Sequence, residues 1–148
     1  MARGYPDFYG YEIIPKYGLP NLEVWGTDDI ANGDTATLIN AVGKGRSYQG
    51  YIWFYGLGTV HHTAMLSIII DGVTITYASA ENEYEYGFYL DGNQLFNVTR
   101  YMVDDTNEYV TYSAARDYTW GQSLVVTLRN TTGFLLTTRA SFLWGQVI

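Results

Sequence analysis

The sequence predicts an all-β protein: an antiparallel β-sandwich of jelly-roll type carrying an extended N-terminal arm. Three observations predict it. Short runs rich in β-branched and aromatic residues recur through residues 34–148, with turn-forming residues between them. No stretch repeats its apolar residues at the helical period. All three prolines, Pro6, Pro15 and Pro20, fall within residues 1–33, together with Gly4, Gly10, Gly18, Gly26 and Gly33.

Residues 1–33 are expected to form the arm. Proline lacks the N–H that a sheet ladder needs and holds its neighbour extended, so this region is no ordinary central strand. Disordered tails are polar, whereas this segment carries Tyr5, Phe8, Tyr9, Tyr11, Ile13, Ile14 and Tyr17. These seven side chains are the expected anchors of an arm that docks on a surface. A long first loop packed over one end of the sandwich is the alternative, against which stands the rarity of such long loops in compact domains.

Residues 34–148 are expected to form the sandwich body. Thr35–Val42 is its first strand, ended by the turn at 43–46. Ser47–Tyr55 is apolar or aromatic on both alternating faces, which predicts a central strand or one with a face against a partner. His62–Ile70 and Val73–Ser79 flank Asp71-Gly72, the strongest short hairpin signal in the chain. A second pair, Asp91-Gly92, separates two further runs. Glu108–Ser113, Ser123–Arg129 and 134–147 complete about eight strands, the last two joined by Asn130-Thr131-Thr132-Gly133. Such spacing fits a jelly roll, with an immunoglobulin-like sandwich as the alternative.

Composition narrows the function. Net charge is −7, from eight basic and fifteen acidic residues, and the basic residues are scattered. Nucleic acid and an anionic membrane surface are therefore not expected partners, since both need clustered cations. With no cysteine, disulfides and thiolate metal sites are excluded. The first ten residues contain no apolar core of a secretory signal, so a cytosolic origin is expected. The sequons at Asn97 and Asn130 would matter only in a secretory setting. Charged residues make up only 16% of the chain while aromatics reach 17%, with fifteen tyrosines, a balance that favours contact surfaces.

No enzymatic activity and no cofactor are expected. His61 and His62 are adjacent, so on a strand they point to opposite faces and cannot easily share a metal ion. No Gly-x-Ser-x-Gly elbow presents a nucleophile. The pairs Asp28-Asp29 and Asp104-Asp105 lie in turn-like surroundings, where carboxylates cap turns. Calcium suits such carboxylates, although the EF-hand spacing is missing. The segment 81–86 places Glu81, Glu83 and Glu85 on one face of a strand, with Tyr84 and Tyr86 on the other. Together with Phe88 and Tyr89 this is either a projecting contact hairpin or an edge strand whose charges block unwanted pairing. Trp53, Trp120 and Trp144 are candidates for a carbohydrate-stacking platform, but Trp53 and Trp144 lie in apolar strands, where burial in the core is the expectation.

The opening residues 4–10 and 13–18, the run 101–109 and the closing two-strand segment resemble, in style, small β-rich virion proteins of tailed bacteriophages, above all capsid decoration (cement) proteins. The resemblance implies a structural subunit, trimeric, that binds the major capsid protein or other virion subunits after assembly in the host cytoplasm. It transfers no catalytic residue. A carbohydrate- or receptor-binding module of a tail tip or fibre would look similar.

Overall fold

The computed structural model describes residues 20–57, 64–76, 96–104, 106–114 and 118–146. These residues contain ten strands: β1 (Pro20–Ile30), β2 (Thr35–Val42), β3 (Gly45–Leu57), β4 (Met65–Ile70), β5 (Val73–Thr76), β6 (Phe96–Val103), β7 (Asn107–Ala114), β8 (Thr119–Trp120), β9 (Ser123–Arg129) and β10 (Leu136–Gln146). They form two sheets. The larger, sheet A, has the order β1-β10-β3-β7-β6, with β8 pairing β3; sheet B has the order β2-β9-β4-β5.

Every pairing is antiparallel, and four of them define the fold: β1 with β10, β2 with β9, β3 with β7, and β4 with β5. These are the rungs of one long two-stranded strip that runs out along β1–β4 and back along β5–β10. Rolling the strip brings β3 onto β10 and β4 onto β9, which closes the two sheets. Successive strands from β1 to β4 therefore alternate between the sheets, which is the jelly-roll arrangement rather than the immunoglobulin-like one.

The tip of the strip is the predicted Asp71-Gly72 turn. Both residues have positive φ, 51° and 83°, so this two-residue loop has the primed geometry that matches strand twist. Asp71 also ties the tip to the return half of the chain. Its carboxylate accepts the backbone N–H groups of Gly121 (2.8 Å), Gln122 (2.6 Å) and Ser123 (3.0 Å).

The core lies between the sheets and follows from alternation. In β3, Ile52 and Phe54 point inward; in β10, Leu136, Ala140, Phe142 and Trp144 do so; in β9, Leu124, Val126 and Leu128. Trp120 and Trp144 pack in contact, with ring centroids 5.6 Å apart, and the Trp120 indole donates to the Gly43 carbonyl at 2.7 Å. Gly50 has a packing role: a Cβ there would lie 2.7 Å from the Phe96 ring and 3.0 Å from Phe142.

One boundary differs from the expectation. Residues 20–30, read from the sequence as part of the arm, form the edge strand β1 of the body's own sheet. The proline argument still applies locally, because Pro20 is the first residue of an edge strand, where a missing N–H is tolerated. A register shift between Trp25 and Asp28 absorbs the irregular middle of the strand. Residues 1–19, with the expected anchors Tyr5, Phe8, Tyr9, Tyr11, Ile13, Ile14 and Tyr17, lie outside the described residues.

Candidate functional site

Two surfaces of the body carry chemistry. The first is the outer face of sheet A. Because Ile52 and Phe54 face the core, Tyr51, Trp53 and Tyr55 face outward from the central strand β3. Register then aligns them with outward residues of the neighbouring strands. Trp53 lies opposite Arg139 of β10 on one side and Thr111 of β7 on the other, and Thr111 lies opposite Arg100 of β6. The row Arg139–Trp53–Thr111–Arg100 thus crosses four strands. A parallel row runs Asp29–Thr137–Tyr55–Tyr109–Met102.

A β-bulge shapes one wall. The β6–β7 register shifts between Val98 and Arg100, so Thr99 is an extra residue, and Thr99 and Arg100 are both exposed. The Thr99 hydroxyl lies 2.9 Å from that of Ser113. Tyr51, Trp53, Thr99, Arg100, Thr111 and Arg139 together line a groove of about 470 Å³. Tyr51 is 47% exposed, while Trp53 is half-buried.

Aromatic contacts hold the floor in place. Trp53 and Tyr55 lie with ring centroids 4.9 Å apart, and Tyr55 stacks on Tyr109 at 5.6 Å, nearly parallel. The Arg139 guanidinium sits 6.0 Å from the centroid of the Trp53 ring, within cation–π range. Arg100 donates to the Met102 sulfur at 3.6 Å, a weak acceptor. Among the described residues, neither arginine is paired with a carboxylate. Loss of hydration, and then the neighbouring Asp104 carboxylate to which it is hydrogen-bonded, push the Tyr109 phenol above its ordinary value. Asp104 itself accepts the backbone N–H groups of Thr106 (2.8 Å) and Asn107 (2.6 Å), which lower its carboxyl below the ordinary range. It is the turn cap expected from sequence.

The second surface is the loop between β9 and β10. Phe134 and Leu135 are 50% and 55% exposed, two adjacent large apolar side chains facing solvent. The loop is held by Asn130, whose side chain is fully buried. Its amide nitrogen donates to the carbonyls of Ile30 (2.7 Å) and Phe134 (2.6 Å). Its amide oxygen accepts from the Thr132 backbone N–H (3.0 Å) and hydroxyl (2.7 Å). The backbone N–H of Asn130 donates to the Asp34 carbonyl, and its carbonyl accepts from Gly33. The loop therefore presents its apolar pair on a fixed frame. The same burial removes the Asn130 sequon from reach in the folded protein.

The tryptophans divide differently from the expectation. Trp120 and Trp144 are core residues, 3% and 5% exposed, and cannot form a stacking platform. Trp53, expected in the core, faces outward and is the aromatic floor of the groove. Tyr51 and Tyr55 on the same face were the available signal, since a phenol favours the side where its hydroxyl reaches water. The Thr99 bulge, which brings Arg100 to the groove, has no sequence signal. Tyr84, Tyr86, Phe88 and Tyr89, like His61, His62 and Asp105, lie outside the described residues. Among the described residues, no three His, Asp or Glu side chains converge as a metal site would require.

Comparison of the chain with protein-family models and with curated proteins finds no match.

Proposed function

We propose that the chain is a structural virion protein of a tailed bacteriophage: a capsid decoration (cement) subunit that acts as a homotrimer on the major capsid protein. The observation that carries this reading is the Phe134–Leu135 pair. Large apolar side chains exposed side by side mark contact surfaces, and burying each fully is worth roughly 1.5–3 kcal/mol. A flexible loop would lose part of that gain on ordering, whereas the Asn130 clamp has fixed the loop beforehand. The outer face of sheet B adds to the reading. Thr37, Asn40, Ser67, Ile69, Val125 and Thr127 make the middle of it uncharged, and Arg129 stands at one end, level with Thr35 and Met65.

Light scattering on the full chain should give about three times the 16.7 kDa of one chain. The double substitution Phe134→Ser and Leu135→Ser should lower that mass, or abolish co-sedimentation with undecorated capsids, and leave the melting temperature unchanged. Deletion of residues 1–19 stops short of β1, and should leave a folded body that no longer binds capsids. A monomer that binds no capsid, or a double variant with unchanged mass and capsid binding, would overturn the reading. The groove on sheet A favours a second one: a carbohydrate- or receptor-binding module, with Trp53 as its stacking surface.

A further inference from the structure

We propose that the groove on the outer face of sheet A binds an acidic saccharide, a pyranose that carries a carboxylate. This deepens the glycan-binding reading and rests on it, independently of any place in a virion. Trp53 supplies a flat apolar floor suited to the C–H face of a sugar ring. Tyr51, Thr99 and Thr111, each a hydroxyl-bearing residue, line the groove around it. The volume of about 470 Å³ lies within the usual range for small-molecule sites.

The charge pattern selects the ligand class. Arg139 and Arg100 stand at the two ends of one cross-strand row, three strand spacings apart, or about 14 Å between backbones. That leaves room for a sugar ring flat between them. In a chain with fifteen acidic residues, these two guanidinium groups face one groove without a carboxylate partner among the described residues. Arginine's planar fork matches a carboxylate, and the Met102 sulfur and the Trp53 ring are weak substitutes for it. Two cations are too few to hold a nucleic acid backbone. A peptide added in β form needs a sheet edge, and this is a sheet face that offers side chains only.

The test is isothermal titration of the full chain with an oligogalacturonate, beside a neutral oligogalactose and a polyglutamate of similar length. The acidic sugar should bind, and the neutral sugar roughly tenfold or more weaker. Arg100→Gln and Arg139→Gln should each weaken acidic-sugar binding by about tenfold, and Trp53→Ala should remove it. The two arginines are exposed, so thermal melts of their variants should match the parent. Equal binding of neutral and acidic sugars would overturn the proposed ligand class while sparing the glycan-binding reading. No binding of either sugar would overturn both. Equal binding of polyglutamate, or unchanged affinity in both arginine variants, would also sink the proposal.

Discussion

Replacing Asn130 by alanine should destabilise the protein more than any exposed substitution in the same loop. The side chain is fully buried and makes four hydrogen bonds, two as donor to the carbonyls of Ile30 and Phe134 and two as acceptor from Thr132. Each bond contributes about 0.5–1.5 kcal/mol, and a buried partner left unsatisfied costs about 1–3 kcal/mol. The Phe134 carbonyl keeps a longer bond from the Thr132 hydroxyl at 3.3 Å, so part of the loss is recovered. The expected cost is therefore about 3 kcal/mol, a large share of a typical stability of 5–15 kcal/mol. For a domain of this size that corresponds to a fall in Tm of roughly 10 °C. Urea unfolding followed by circular dichroism measures it. Asn32→Ala is the control, because its carboxamide accepts the Gly133 N–H at 2.9 Å in the open, where water replaces it. A loss below about 1 kcal/mol in Asn130→Ala, or an equal loss in the control, would refute the view that this buried amide holds the loop.

Two further predictions concern the fold. The carboxyl of Asp71 is lowered below 3.8 by the backbone N–H of Gly121 first, then those of Ser123 and Gln122. A depressed carboxyl contributes stability that is present above its unfolded value and lost as pH falls through the folded one. Asp71→Asn, which suits the same positive-φ turn, should therefore unfold at lower urea than the parent at pH 6, and the two midpoints should converge as pH falls below 3.8. Thr138 is fully buried with a hydroxyl that has no hydrogen-bond partner among the described residues. Thr138→Val keeps the shape, removes the unpaired hydroxyl and should raise stability by about 1 kcal/mol, seen as a higher urea midpoint.

Much of the fold was legible because local signals agreed with it. β2 and β9 span the residues expected from sequence, and the Asp71-Gly72 turn sits where its dipeptide placed it. β1 was not legible. Pro20, Gly26 and the pair Asp28-Asp29 disguise it, and its order comes from β10, more than a hundred residues away in sequence. The two residues of β8 are too few to make a pattern. The jelly roll itself rests on those distant pairings, so sequence left the immunoglobulin-like alternative open. The same holds for the groove. The outward set Thr137, Arg139 and Ser141 can be read from alternation in β10, but its neighbours in space come from β3, β6 and β7.

The dependence of the groove on register is strict. Side chains alternate along a strand, so a slip of one residue in β3 would send Trp53 into the core and bring Ile52 and Phe54 out. Ile52 and Phe54 are both fully buried and each would forfeit roughly 1.5–3 kcal/mol on exposure, which is why the inner set fixes the register. The outer set is then free to differ between the sheets without penalty to the fold. Sheet B spends that freedom on a face uncharged in its middle with Arg129 at one end, whereas sheet A gathers Tyr51, Trp53, Arg100 and Arg139 from three strands onto one face. A recognition surface built this way inherits the rigidity of the core beneath it. Its residues can change one at a time, because none of them specifies the register that brings them together.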